Sequence, residues 1–231
     1  MHMSIQIKAV GFDLDGTLFE THVDYDSLND CDRTILEKHD IPFSDVFGDN
    51  PERKRLRDPI RKWLEDHGRS DEFDTIYKEI DELSLYYEEQ FVSEAKEYPR
   101  SIECIRYLRS RGLKVGLLTR GGYHYAETVL KRFGVFDEMD AIIGRDHTYY
   151  DNAKPSPIAM REFADALGVG TEEILYLGDN MTDYLSAHDA GSTFIGVLSG
   201  AGSKEMWSTV SPRIDTVEHA GDVMDIIERY L

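Results

Sequence analysis

Ala9-Val10-Gly11-Phe12-Asp13-Leu14-Asp15-Gly16-Thr17-Leu18 climbs through an apolar run to an aspartate, with a second aspartate two residues later. As a buried strand, the run sets Asp13 at its C-terminal end, where open α/β sheets place their ligand sites. In strand geometry Asp13 and Asp15 project to the same side and Leu14 to the other. Carboxylates that close repel each other unless a cation or a shared proton relieves them. One reading is therefore a metal-dependent site, with one carboxylate attacking or ligating and the other exchanging protons. The other is an acidic strand-to-loop turn in which Gly16 supplies a positive φ and Thr17 a cap. The stretch by itself leaves both open.

A chain of 231 residues, 41% of them hydrophobic, suits one large domain or a core domain with a smaller insertion. No apolar run approaches the ~20 residues that cross a bilayer, and no secretory segment is recognised. A soluble cytoplasmic protein with no membrane partner is the expectation. Cys31 and Cys104 form neither a disulfide framework nor a metal-ligand spacing. Cys104 falls among helical apolar positions and reads as a small core residue. Lys plus Arg number 26 against 45 Asp plus Glu, a net charge of −19. Such a surface repels nucleic-acid phosphates, so a nucleic-acid partner is disfavoured. It also repels anionic substrates unless a metal and local cations reverse the field at the site. The acid excess fits a salt-rich cytoplasm as well as an ordinary acidic cytosolic protein.

From about Phe19 to Tyr98 the pattern is helical, with no good strand candidate. A first helix starts near Asp26 or Ser27 and ends before Ile41-Pro42. A second opens at Asn50-Pro51, is interrupted by Pro59 and stops at Gly68. A third carries the stripe Phe73, Ile76, Tyr77, Ile80, Leu83, Tyr87 and Phe91, whose aromatics read as packing. Beyond Pro99 short strands alternate with helices: Lys114–Leu118, Ala141–Ile143, Ile174–Leu177 and Thr193–Val197 as strands, with a helical tail over Val223–Leu231. That alternation implies an α/β, Rossmann-like, mostly parallel sheet sandwiched by helices. The catalytic core is expected over 1–18 and 99–231. The connection over 19–98 is too long for a crossover and reads as an inserted all-α module beside the C-terminal edge of the sheet.

Polar clusters fall at the ends of these strands. Thr119 follows the second strand, beside Arg120 and the flexible pair Gly121-Gly122, where a hydroxyl and exposed N–H groups can hold an anion. Lys154 lies in the proline-stiffened loop Asp151-Asn152-Ala153-Lys154-Pro155-Ser156-Pro157, where an ammonium can neutralise an oxyanion. Asp179 ends the fourth strand, and Asp183 falls in the first turn of the next helix, where the dipole favours negative charge. Locally, each of these is also an ordinary turn, a solvated cation or a helix-end acid. Taken with Asp13 and Asp15, so many acids call for a divalent cation, and oxygen ligands without His or Cys select Mg²⁺ over zinc.

The ordered set of Asp13-Leu14-Asp15-Gly16-Thr17-Leu18, Thr119, Lys154-Pro155 and Gly178-Asp179 with Asp183 resembles the four motifs of the haloacid dehalogenase superfamily. The resemblance spans the whole chain. It points to the phosphoglycolate phosphatase-like branch, with a helical cap over 19–98 inserted after the first motif. It implies a Mg²⁺-dependent phosphatase acting on a small phosphorylated metabolite. Asp13 would attack phosphorus and form an aspartyl-phosphate. Asp15 would protonate the leaving oxygen and then deprotonate the attacking water. Mg²⁺ would be held by the Asp13 carboxylate, the Asp15 carbonyl and Asp179, supported by Asp183. Thr119 and the N–H groups near Leu14, Asp15 and Arg120 would bind phosphoryl oxygens, Arg120 would contact phosphate, and Lys154 would balance charge. A second acid at Asp15 favours phosphate over halide chemistry. Asn180-Met181-Thr182 departs from the small residues common before the last aspartate. The rivals are a sugar-phosphate mutase and a non-catalytic phosphate-sensing or partner-binding protein.

Within the expected cap, Glu52-Arg53-Lys54-Arg55-Leu56-Arg57-Asp58-Pro59-Ile60-Arg61-Lys62 carries six cations and two acids. It is either a stretch that draws anionic substrate inward or a solvated basic helix face.

Overall fold

The computed structural model describes residues 6–48, 57–147 and 149–231. The chain forms two compact units, one of Met1–Thr21 with Glu94–Leu231 and one of His22–Ser93. The strands all belong to the first unit: β1 (Ala9–Phe12), β2 (Phe19–Glu20), β3 (Lys96–Glu97), β4 (Lys114–Leu118), β5 (Ala141–Ile143), β6 (Ile174–Gly178), β7 (Thr193–Val197) and β8 (Asp215–Val217).

Six of them make one sheet in the order β5-β4-β1-β6-β7-β8, parallel throughout. Numbered among themselves, these strands run 3-2-1-4-5-6, the doubly wound order that opens a crevice where the winding reverses, between β1 and β6. β1 is buried along its length because both faces of a parallel sheet are covered. β8 is missing from the sequence reading: Asp215-Thr216-Val217 is a short edge strand with no apolar run to announce it. β2 and β3 form a separate antiparallel pair at the two ends of the stretch expected to be wholly helical.

In the His22–Ser93 unit the helices are α1 (Tyr25–Lys38), α2 (Phe43–Phe47), α3 (Asp58–Asp66) and α4 (Phe73–Glu89). Asp24 caps α1 by accepting from the Ser27 N–H at 3.0 Å. Pro59 does not interrupt α3 but helps to start it, in the first turn where no N–H is missed. The proposed opening at Asn50-Pro51 lies outside the described residues. The buried line of α4 follows Phe73, Ile76 and Ile80, then passes to Ser84 and Glu88, leaving Leu83 and Tyr87 half-buried.

The basic stretch is corrected in part. Glu52–Leu56 lies outside the described residues. Arg57 is buried, and its guanidinium donates to Asp32 Oδ1 at 3.0 Å. Arg61 stacks on the Phe73 ring at 3.9 Å, and Lys62 pairs with Asp66 one turn on. Arg57 and Arg61 thus serve the module's own packing, whereas Lys62 stays on its solvated face.

The sheet unit adds α5 (Ser101–Ser110), α6 (Tyr123–Arg132), α7 (Pro157–Leu167), α8 (Met181–Ala190) and α9 (Lys204–Val210). α7 starts on the Ser156 cap with Pro157 first, and its Phe163 is fully buried in the sheet core with Met160, Tyr176, Phe194 and Trp207. The tail is not an α-helix but two 3₁₀ turns, Ala220–Asp225 and Ile227–Arg229. Cys31 and Cys104 are both buried. No described helix is long and apolar enough to cross a membrane.

Breaking a buried ion pair by removing one partner costs about 3 kcal/mol. Asp32→Ala is therefore expected to lower the urea midpoint by about that free energy. An unchanged midpoint would show that Arg57 does not depend on Asp32.

Candidate active site

Asp13, Thr119 and Asp179 stand at the C-terminal ends of β1, β4 and β6, neighbours in the sheet. Asp13 stays in register with the sheet through its N–H, which donates to Leu177 O at 2.9 Å. Lys154 enters from the loop before α7. Its buried ammonium donates to Asp13 Oδ1 at 2.6 Å, Asp183 Oδ1 at 2.5 Å and Leu118 O at 2.8 Å, and lies 3.0 Å from the Tyr176 hydroxyl. Tyr176 donates in turn to Leu118 O at 2.7 Å. Asp183 is oriented from both sides, because its Oδ2 accepts from the Asn180 N–H at 2.9 Å. Asn180 returns the favour as the α8 cap, accepting from Thr182 N–H. The unusual Asn180-Met181-Thr182 run is thus a capping box that aims Asp183.

Asp179 is gripped by a loop the sequence did not flag. Its Oδ2 accepts from the Ala201 N–H at 2.6 Å. Gly16, at φ +82°, and Gly200 press against it: a Cβ would lie 2.6 Å from that oxygen on Gly16 and 2.0 Å from it on Gly200. Both positions exclude a side chain. Asp15 departs from the strand reading, because β1 ends at Phe12 and Asp15 already lies in the following turn. Its Oδ1 accepts from Thr21 and from Tyr125, each at 2.6 Å.

One carboxylate oxygen from each of Asp13, Asp179 and Asp183 falls within 4.8 Å of the others. The Asp15 carboxylate is outside this cluster, so of the four acids expected at the metal it can contribute only its carbonyl. Three carboxylates against one ammonium leave a formal charge of −2 in a buried pocket. Oxygen donors and a two-charge deficit fit a hard divalent cation.

The electrostatics register the same deficit. Burial, with Asp183, Asp179 and Asp15 adding to it, pushes the Asp13 carboxyl well above its usual range against the pull of Lys154. Burial, then Asp183, pushes Asp179 up to about 6. Burial also raises Asp15, opposed by its two hydroxyl donors. Burial disfavours the Lys154 ammonium, but Asp13 and Asp183 outweigh that and raise it.

Around Asp13 the backbone leaves donors open. The N–H groups of Leu14, Asp15 and Arg120 make no hydrogen bond among the described residues, whereas their neighbours do. Thr119 accepts from the Gly121 N–H at 3.0 Å, which leaves its hydroxyl proton available. The Arg120 side chain has no ion pair among the described residues. Asp13 Oδ2 likewise has no hydrogen-bond partner there. Unbonded N–H groups flanking a carboxylate can take the oxygens of an anion.

The expected residues Asp13, Thr119, Lys154, Asp179 and Asp183 thus meet around one pocket. Thr21, Tyr125, Tyr176 and the Gly200-Ala201 turn were not expected there. Of these, the glycine pair of Ser199-Gly200-Ala201-Gly202 following β7 was the one visible signal.

The family model for haloacid dehalogenase-like hydrolases matches residues 7–191. A phosphoglycolate phosphatase of Cereibacter sphaeroides is 31% identical over 189 residues, covering 81% of this chain and 84% of that protein. One from Neisseria gonorrhoeae is 27% identical over 207 residues, covering 87% and 84%. The solved structure of a β-phosphoglucomutase from Clostridium difficile shares the fold, with a TM-score of 0.64 at 21% identity over 97% of each chain.

Asp179 keeps its proton to about pH 6 in the fold but loses it near pH 4 when unfolded, at about 3.9. The folded state then binds more protons across that window, so this group's contribution to stability falls as pH rises through it. In chelator, Asp179→Asn is expected to be more stable than the parent by about 3 kcal/mol above pH 6. The advantage should fade toward pH 4. Saturating Mg²⁺ should raise the Tm of the parent and not of the variant; urea and thermal melts across pH read both.

Proposed function

This chain belongs to the haloacid dehalogenase-like hydrolases, and we propose that it is a Mg²⁺-dependent phosphatase working through an aspartyl-phosphate on Asp13. The observation that carries this is the Asp13 carboxylate itself. Lys154 holds one oxygen at 2.6 Å, the other has no hydrogen-bond partner among the described residues, and unbonded N–H groups flank it. That is the arrangement in-line phosphoryl transfer needs: a positioned nucleophile, with donors for the charge on the equatorial oxygens.

Asp13 Oδ2 attacks phosphorus while the N–H groups of Leu14, Asp15 and Arg120 and the Thr119 hydroxyl take the phosphoryl oxygens. Asp15 gives its proton to the departing alcohol and later takes one from the water that cleaves the intermediate. Lys154 pulls Asp13 toward its ionised form and holds it in place. Mg²⁺ would be held by the Asp13, Asp179 and Asp183 oxygens, with the Asp15 carbonyl as the family resemblance implies, and would supply the positive charge that offsets burial at Asp13 and balances the phosphoryl group. All these groups come from the sheet unit, so we assign substrate selection to the helical His22–Ser93 unit, acting as a cap domain. Two relatives named for phosphoglycolate put a small phosphorylated acid first among substrates.

With p-nitrophenyl phosphate, turnover is expected to require Mg²⁺ and to fall more than about 10³-fold in Asp13→Asn. Metal-independent turnover, or equal turnover by the variant, would overturn the mechanism. In a panel of phosphoglycolate, sugar phosphates and nucleotides, phosphoglycolate should show the highest kcat/KM with stoichiometric release of inorganic phosphate. An isomeric sugar phosphate as product would point to a mutase.

A further inference from the structure

Two hydroxyls hold one oxygen of Asp15. Thr21 and Tyr125 both donate to Oδ1 at 2.6 Å, while Oδ2 has no hydrogen-bond partner among the described residues. We infer that Tyr125 is a positioning residue for Asp15 and that the exchangeable proton resides on Asp15 Oδ2. The inference rests on the reading of Asp15 as the proton carrier.

An oxygen that accepts two hydroxyl protons is the carbonyl-like oxygen of a carboxylic acid, so the acid proton belongs on the other. The same two bonds suit the carboxylate. The clamp therefore survives both protonation states, and the carboxyl need not rotate between acid and base steps. Rotating it would break both bonds at once. In the first step Asp13 Oδ2 bonds to phosphorus as the ester P–O bond breaks, the electron pair of that bond goes to the alcohol oxygen, and the proton on Asp15 Oδ2 moves there. In the second, water attacks phosphorus, the bond to Asp13 breaks, and a water proton returns to Asp15 Oδ2.

Tyr125 is braced for this task. It sits in the first turn of α6, its side chain is 1% exposed, and its hydroxyl crosses 110 positions of sequence to reach Asp15. Its ring lies against Gly121, where an added Cβ would come within 2.8 Å of Tyr125 Cδ1. Gly121 in turn donates to Thr119 Oγ1. The ring thus links the turn that presents Thr119 to the carboxyl that protonates the leaving group. A buried phenol needs an acceptor, and here the acceptor is the proton carrier itself.

The test compares kcat/KM for p-nitrophenyl phosphate, whose leaving group needs no proton, with kcat/KM for an alkyl phosphate, whose alkoxide does. Both substrates are assayed on one preparation, so the fraction of folded enzyme cancels in the ratio. Asp15→Asn serves as the reference and should damage the alkyl ester far more than the nitrophenyl ester. Tyr125→Phe is expected to lower the alkyl value about tenfold and the nitrophenyl value less than about twofold. If Asp15→Asn discriminates between the esters and Tyr125→Phe depresses both equally, or neither, the positioning role is overturned alone. If Asp15→Asn does not discriminate, the proton-carrier reading falls and the inference with it.

Discussion

Everything at this site depends on one buried ammonium. Lys154 is 2% exposed and touches Asp13 after β1, Asp183 in the first turn of α8, Leu118 O at the end of β4 and Tyr176 within β6. Burying charge is costly, and the cost is recovered only when geometry and hydrogen bonds are nearly complete. Four acceptors for three protons meet that condition for Lys154. They do not meet it for the acids, which outnumber it three to one. The side chains alone thus satisfy the cation and leave a net negative charge among the acids, which favours a second positive charge.

That imbalance sets the surroundings of the two aspartates of the first motif apart. Asp13 faces a full positive charge, and Asp15 faces two neutral hydroxyls. Both are pushed upward by burial. A cation at the Asp13, Asp179 and Asp183 oxygens acts most strongly on the carboxylates that touch it, which spares Asp15. Such a cation would favour the ionised form of Asp13 and leave Asp15 its proton, the difference that the proposed nucleophile and proton carrier require.

The legible part of this site is the part that obeys local rules. Asp13, Thr119 and Asp179 each end an apolar run, and Lys154 and Asp183 sit at helix starts, so strand and cap patterns located them. Tyr125 and Tyr176 lie inside a helix and a strand, where an aromatic residue looks like packing until a partner far along the chain is known. Ala201 contributes only a backbone N–H, which every non-proline residue carries. In the fold the same division holds. β4, β6 and β7 were visible as apolar runs, while β8 and the two-residue pair β2–β3 are too short to carry a period. Arg57 looked like surface charge because its counter-ion, Asp32, sits 25 positions earlier on another helix.

The placement of the crevice follows from topology rather than from any one residue. Winding reverses between β1 and β6, so the loops leaving those strands diverge to opposite faces and expose the strand ends between them. Asp13 and Asp179 occupy those two ends, and their carboxylates meet because Gly16 and Gly200 add no side chain where the loops pass. Acids brought together by the sheet would repel the phosphorylated substrate as strongly as the chain's net charge of −19 does. The attraction must therefore be local. Lys154 and the open N–H groups of Leu14, Asp15 and Arg120 are the fixed positive features beside Asp13. Since the lysine is consumed by its own carboxylates, a cation held by Asp13, Asp179 and Asp183 would supply the remaining charge, and substrate affinity would then rise with metal occupancy.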